Sequence, residues 1–91
     1  MKKKLSRDGQ VIWDCYRELY ANAEPKADFD DLVKNAELNE FGQRIIPYDD
    51  YEISQSKFEE ILNKYKKKFR YKWRKNAFAA TICLGCSPKF K

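Results

Sequence analysis

Apolar residues recur at three- and four-residue steps over the first quarter of the chain, which is the spacing of one helix face. Between Ser6 and Ala23 these residues are Val11, Ile12, Cys15, Tyr16, Leu19, Tyr20 and Ala23. Trp13 falls beside this stripe, where it would cover the rim. Because Pro25 cannot continue a helix, the pattern predicts a first helix that ends before it.

A second, shorter helix is predicted after Asp28, whose side chain is a good N-cap. Asp30 and Asp31 follow in its first turn, where carboxylates suit the positive end of the helix dipole. Its apolar face consists of Phe29, Leu32, Val33 and Ala36.

The segment from 38 to 53 loses the helical periodicity. Gly42 and Pro47 interrupt it, and the residue before a proline avoids the helical region of backbone space. We therefore expect an ordered central loop, with room for one short strand or turn.

The clearest helix signal begins at Ser54, which can cap the helix while Ile53 and Phe58 occupy the positions of a hydrophobic staple. Ser56 and Glu59 offer an alternative capping box two residues later. One apolar face follows, made of Phe58, Ile61, Leu62, Tyr65 and Phe69. This spacing predicts a third helix.

That helix cannot run unbroken to the end of the chain. In one continuous helix, Phe78 and Ile82 would lie opposite the face that contains Phe69. A break between about Arg70 and Asn76 removes the conflict, and Asn76 then becomes the cap of a last helix.

A chain of 91 residues, 43% of them apolar and fourteen aromatic, can form one packed core and has no room for a second. We expect a mainly α-helical, small single-domain bundle of three to four helices spanning residues 1–91. Residues 1–5 should form a flexible basic N-terminus, and residues 86–91 a loosely ordered tail.

Neither a membrane span nor a secretory signal is visible. The richest apolar run, residues 77–84, has eight residues, whereas a bilayer-spanning helix needs about 18–20. The lysines at positions 2–4 resemble the start of a signal peptide, but no apolar region follows them. These patterns predict a cytoplasmic protein that does not contact a membrane.

The sequence from Cys83 to Cys86 has the C-x-x-C spacing of redox and zinc sites. The only other cysteine is Cys15 and the chain has no histidine, so the usual four zinc ligands are not available. We favour a structural role over a redox or metal role: Cys83 buried as a small hydrophobe, Gly85 left-handed just past a helix end, and Pro88 preventing continuation. We expect no cofactor and no metal.

Basic residues are concentrated near the C-terminus. Eight of the twelve residues from Lys64 to Lys75 are Lys or Arg. Residues 1–63 carry nine basic and fourteen acidic side chains, a net charge of −5, whereas residues 64–91 carry ten basic side chains and no acidic one. A charge run is often only a solvated helix face, but such a face normally mixes both signs. The segregation therefore favours a surface that attracts anions.

We interpret this segment as a nucleic-acid-binding surface that contacts mostly the phosphate backbone, because lysine and arginine neutralise phosphates and aromatic rings stack on unpaired bases. The candidate binding residues are Lys64, Lys67, Lys68, Arg70, Tyr71, Trp73, Arg74 and Lys75. The alternatives, in order, are an acidic protein partner, self-association as a homodimer through the oppositely charged parts of the chain, and an anionic membrane surface.

Catalysis has little support, since the chain lacks histidine, a Gly-rich phosphate loop and a G-x-S-x-G motif. Asp49, Asp50 and Glu52, with Asp28 or Asp31, are the carboxylates that would hold Mg²⁺ in a nuclease. Helix caps, first-turn charges and a solvated loop explain these residues more simply. We therefore predict a non-enzymatic protein without catalytic residues.

The stretches "ADFDDLVKNAELNEFGQRIIPYDDYEI" (27–53) and "ATICLGCSPKF" (80–90) resemble those of small proteins encoded by bacteriophages and prophages. The resemblance implies a bacterial cytoplasm and an accessory role. That role would be binding nucleic acid, or binding and modulating an acidic or nucleic-acid-handling host protein such as a defence nuclease. The resemblance attaches no activity and no site residue to the chain.

Overall fold

The computed structural model describes residues 6–85 and 87–90. They form four helices, α1 (Arg7–Ala21), α2 (Phe29–Lys34), α3 (Gln55–Lys66) and α4 (Lys72–Leu84). They also form four two-residue strands, β1 (Glu37–Leu38), β2 (Arg44–Ile45), β3 (Glu52–Ile53) and β4 (Lys89–Phe90), and a 3₁₀ turn at Tyr48–Asp50. The mainly α-helical prediction is confirmed, and two small sheets are added to it.

Side-chain caps determine where α2 and α3 begin. Asp28 Oδ1 accepts a hydrogen bond from Asp30 N at 2.9 Å, and Ser54 Oγ accepts one from Lys57 N at 3.3 Å. The sequence predicts both caps, because an Asp or a Ser directly precedes each apolar helix pattern, and both predictions are confirmed. Ser54, rather than Ser56, is the cap of α3.

The break between the last two helices is also confirmed, although α3 already ends at Lys66 and α4 already begins at Lys72. The prediction that Asn76 caps α4 is wrong, since Asn76 lies inside this helix and Tyr71 is its N-cap. Tyr71 makes no side-chain capping bond. The start of α4 is therefore determined by packing of the helix rather than by a capping side chain.

The core is formed by α1, α3 and α4 with Ile53 of β3. Its buried residues are Cys15, Leu19, Ile53, Phe58, Ile61, Tyr65, Phe69, Phe78 and Ile82. Phe69 lies in the turn between α3 and α4, yet it is buried, and its ring centroid lies 4.8 Å from that of Phe78. This contact holds the turn against the core and leaves the neighbouring basic residues at the surface.

Phe29 attaches α2 to α1. Its ring lies 5.0–5.5 Å, centroid to centroid, from the rings of Trp13, Tyr16 and Tyr20. Trp13 covers the edge of this cluster, and its Nε1 donates to Asp30 Oδ1 at 2.5 Å. That hydrogen bond is the largest cause that holds the pKa of Asp30 below its usual range.

The central segment is ordered, as expected, but it contains more than one short strand, since β1 pairs with β2 in antiparallel register. Gly42 adopts φ +78° at the turn, a conformation that favours glycine. Asn39 Oδ1 accepts hydrogen bonds from the backbone N–H groups of Phe41 and Gln43, both at 2.9 Å. The strands have only two residues each, which is too short for an alternating pattern to reveal them.

The second sheet joins the C-terminal part of the chain to the core, because β4 pairs in parallel with β3. Phe90 contacts Phe58 edge to face, with ring centroids 5.0 Å apart. The residues expected to be flexible or loosely ordered fall in part outside the described chain, namely residues 1–5, Cys86 and Lys91. Residues 87–90 of the expected tail include β4.

Two expectations for the end of α4 are wrong. Gly85 has φ −93° and ψ −151°, so it is not left-handed but extended. A Cβ atom at Gly85 would collide with the Tyr16 hydroxyl, which explains the glycine by close approach instead of by φ. Cys83 is exposed rather than buried, because it faces away from the core side of α4. Of the two cysteines that the structure describes, Cys15 is the buried one.

Candidate nucleic-acid interface

The basic segment, defined as residues 64–75, turns the chain from α3 into α4. Lys64 lies in the last turn of α3, residues 67–71 form the connection, and Lys72 begins α4. Seven of the eight candidate binding residues are exposed, and the eighth, Lys75, is half-buried. The core side chains of the turn point inward, so the charged and aromatic candidates form the outer surface.

Tyr71 and Trp73 lie at the surface, with exposed fractions of 53% and 63%. Their rings are nearly parallel, with an interplanar angle of 21° and centroids 6.5 Å apart. The guanidinium carbon of Arg74 lies 4.7 Å from the Trp73 ring centroid, and that of Arg70 lies 5.8 Å from the Tyr71 ring centroid. The ring quadrupole attracts a cation in this position. The result is a continuous group of two guanidinium and two aromatic side chains.

A shallow cleft of about 260 Å³ opens beside the connection between α3 and α4. It is lined by Arg7, Asp8, Lys68, Arg70, Tyr71 and Arg74, and we call it the Arg7 cleft. Four of these side chains are cationic and one is a carboxylate. Half of the candidate residues therefore converge here, together with a cation from the first turn of α1.

A separate cleft of about 320 Å³ is lined by Asn63, Lys66, Lys67 and Lys75. Three of these four side chains are cationic and none is a carboxylate. Six of the eight candidate residues are thus divided between two concave surfaces, and Lys64 and Trp73 line neither of them.

Carboxylates of α1 hold two of the candidate cations. Arg74 pairs with Asp8, and Lys64 Nζ lies 2.8 Å from Glu18 Oε1. Both pairs are partly exposed, so each contributes at most about 1 kcal/mol to stability. Within the described part of the chain, the candidate cations without an ion-pair partner are Lys67, Lys68, Arg70 and Lys75.

Glu18 also affects two buried groups beneath Lys64. The Tyr65 hydroxyl donates to Glu18 Oε1 at 3.1 Å. Burial, reinforced by the charge of Glu18, raises the pKa of Tyr65 to about 12 and the pKa of Cys15 to about 12. Both groups are neutral at physiological pH, so Cys15 is a packing residue and not a nucleophile.

The start of α4 has an unfavourable charge distribution. Its first turn carries Lys72, Arg74 and Lys75 and no acidic residue, and its N-cap supplies no hydrogen bond. The N-terminus of a helix carries a partial positive charge, so basic side chains there are destabilising. An anion beside this turn would offset both the like-charge repulsion and the missing cap.

Arg7 and Lys66 are the cations of these clefts that the candidate set omits. Arg7 lies about sixty residues from the basic segment, and only the packing of α1 against α4 brings it to the cleft. Lys66 falls on the solvent-facing side of the predicted third helix. The spacing of residues along the sequence cannot show whether such a position lines a cleft or a convex surface. Only an indirect signal for these two cations is present in the sequence. Because no acidic residue follows Glu60, any cation that packs near the basic segment adds to its positive electrostatic potential.

The carboxylates considered for Mg²⁺ do not converge. Asp49 pairs with Lys89 at 3.3 Å, and residues 6–85 and 87–90 contain no group of three or more His, Cys, Asp or Glu side chains arranged to hold a metal ion. No helix in this part of the chain combines the length and hydrophobicity needed to cross a membrane. No protein-family model, curated protein or solved structure matches the chain.

Proposed function

We propose that the protein binds single-stranded nucleic acid through the Arg7 cleft and the Tyr71–Trp73 pair, and that it acts by binding rather than by catalysis. The observation that supports this best is the exposed aromatic pair, with Arg70, which has no ion-pair partner among the described residues, over Tyr71 and Arg74, which pairs with Asp8, over Trp73. Phosphates would contact Arg7, Lys68 and Arg70, while unpaired bases stack on the exposed ring faces.

The aromatic pair favours unpaired bases over a duplex. In a duplex the bases already stack on each other, whereas an unpaired base offers its face to an aromatic side chain. Stacking and phosphate contacts are both tolerant of sequence, so we expect weak sequence specificity. The unfavourable charge at the start of α4 agrees with this proposal, because functional sites retain local conflicts that a bound ligand relieves.

An acidic protein partner is the second candidate for the same surface. The bacteriophage-like stretches suggest a host protein that handles nucleic acid as this partner. We rank nucleic acid first because a purely electrostatic contact between proteins does not require two exposed, nearly parallel rings.

Fluorescence anisotropy with labelled single strands of DNA and RNA, and with a duplex of the same sequence, tests the proposal. We expect tighter binding to the single strands, with three to five phosphates neutralised. Because each phosphate contributes about −0.7 to the log–log salt slope for a single strand, the slope should be about −2 to −3.5. The salt series therefore counts the contacts as well as detecting them.

Two outcomes would contradict the proposal. Binding no tighter than about 10⁻⁴ M at physiological salt for every nucleic acid would leave only ordinary non-specific attraction. The assignment would then move to an acidic protein partner. A duplex bound as tightly as the single strands would exclude the stacking role of the aromatic pair.

Changing Tyr71 to serine should move stability and binding in opposite directions. Serine at the N-cap of α4 can accept a hydrogen bond from the first turn, which typically stabilises a helix by about 1 kcal/mol. The lost ring is half exposed, so its removal costs little stability. The loss of base stacking should weaken single-strand binding about tenfold, or about 1.4 kcal/mol. Thermal unfolding and anisotropy measure the two effects separately.

Tyr48→Ser is the matched control, because Tyr48 is a comparably exposed tyrosine, at 41%, in the 3₁₀ turn. This variant should bind single strands as the unchanged protein does. If Tyr71→Ser binds equally well, Tyr71 does not stack on a base. If Tyr71→Ser lowers the stability of the protein, then a serine at this position does not provide the capping hydrogen bond that α4 lacks.

A further inference from the structure

A second exposed surface is formed by α2 and the β1–β2 hairpin, and it shares no residue with the basic segment. Leu38, Phe41 and Ile45 of this hairpin are 61%, 78% and 53% exposed. The hydrogen bonds of Asn39 order the turn, so Phe41 is exposed on a fixed backbone. In the pairing of β1 with β2, Glu37 and Ile45 share one face of the hairpin, and both also line a groove beside it. Exposed apolar side chains on an ordered element, next to a groove, are typical of a protein-interaction surface.

Beside the hairpin lies a groove of about 400 Å³, which we call the α2 groove. Its apolar lining is Leu32, Ala36, Ile45 and Pro47. Its charged lining is Asp28, Asp31 and Glu37, and no Lys or Arg lines it. The groove therefore suits an occupant that combines a large apolar side chain with surrounding cations.

We propose that the α2 groove binds the basic segment of a second copy of this chain, with Trp73 of that copy inserted as the anchor. Residues 70–75 carry four cations and no carboxylate, against three carboxylates and no cation in the groove. Trp73 has 63% of its surface exposed and so is available as an anchor. The inference uses only the exposure and charge of the segment, so it does not depend on nucleic-acid binding.

The contact is heterologous, with the groove of one copy on the basic segment of the next. A two-fold contact of groove on groove would bring like carboxylates together, which is unfavourable. The resulting dimer keeps a free basic segment on one copy and a free groove on the other, so further copies can add. A nucleic acid bound to the segment would compete with this association.

Sedimentation velocity of the full chain tests for self-association without any variant. A small, charged interface of this type is weak, so the average mass should exceed that of one copy at about 0.1 mM protein in low salt. It should return to one copy at about 0.5 M salt, where the charges are screened. A mass of one copy at every concentration in low salt would overturn the inference.

Two double variants test which surfaces meet. Glu37→Lys with Ile45→Thr disables the groove, while threonine retains a strand-forming side chain. Lys72→Glu with Trp73→Ser disables the segment, and glutamate suits the first turn of α4. Each variant alone should remain a single copy, whereas an equal mixture should form a dimer of one copy of each, because each supplies the surface that the other lacks.

Circular dichroism verifies that both variants fold, and Ile45→Thr alone serves as a second groove variant. A mixture of folded variants that stays at one copy would overturn the inference, as would association of the groove variant with itself. The groove variant should bind a labelled single strand with unchanged affinity. Failure of self-association is thereby distinguished from failure of nucleic-acid binding, since each has its own variant and its own measurement.

Discussion

Replacing Phe78 with alanine is expected to lower the free energy of unfolding by about 3–5 kcal/mol. Phe78 is 2% exposed, and its ring contacts that of Phe69 in the turn between α3 and α4. Removing the ring leaves a cavity where α4 joins the core and abolishes the aromatic contact. Domains of this size are stable by about 5–15 kcal/mol, so the loss should be a large share of the total. Urea unfolding followed by circular dichroism measures it.

Phe41→Ala is the matched control, because the same ring is removed from a position that is 78% exposed. It should change the free energy of unfolding by no more than about 0.5 kcal/mol. If Phe78→Ala were no more destabilising than this control, α4 would not be packed against α1 and α3 as described. The comparison also separates burial from any general effect of losing an aromatic residue.

The helices with clear apolar stripes could be predicted from the sequence, because their packing faces repeat locally. The stripe that includes Cys15 and Leu19 lies in α1, and the stripe from Phe58 to Tyr65 lies in α3. Asp28 and Ser54 marked helix starts because an N-cap acts within its own first turn. Local signals of this kind are sufficient for element type and for most of the core.

The start of α4 could not be predicted, because no local signal marks it. Tyr71 is a residue type that rarely caps a helix, and the first turn of α4 is basic. The local sequence therefore favours Asn76 as the cap, and that prediction is wrong. Phe78 and Ile82 of this helix are buried in the core, and packing of this kind can override local preference. The sequence indicates at most one short strand or turn in the central loop, because strands of two residues are too short to show an alternating pattern.

The charge of the candidate interface could be read from the sequence, but its arrangement could not. The absence of acidic residues after Glu60 is a property of composition. The pairing of Arg74 with Asp8 and of Lys64 with Glu18 depends on how α1 crosses the other helices. The same crossing brings Arg7 into the cleft. The structure thus distinguishes the candidate cations that pair with a carboxylate of α1 from those that have no ion-pair partner among the described residues.

Reversing two available cations, Lys68→Glu with Arg70→Glu, should weaken single-strand binding by about 100-fold or more. Both side chains line the Arg7 cleft, are exposed, and have no ion-pair partner among the described residues. Two phosphate contacts are lost, so the log–log salt slope should become shallower by about 1.4. The new carboxylates also repel the backbone, which adds to the loss. Stability should be little changed, because neither residue is buried.

The control is Lys26→Glu with Lys57→Glu, which lowers the net charge from +5 to +1 as the site variant does but leaves the basic segment intact. Lys57 pairs only weakly with Glu60, at 3.7 Å, so its change should be tolerated. If both double variants lose affinity equally, the whole-molecule charge and not the Arg7 cleft attracts nucleic acid. If the control binds normally and only the site variant fails, the phosphates contact the cleft, because long-range attraction alone cannot distinguish two variants of the same net charge.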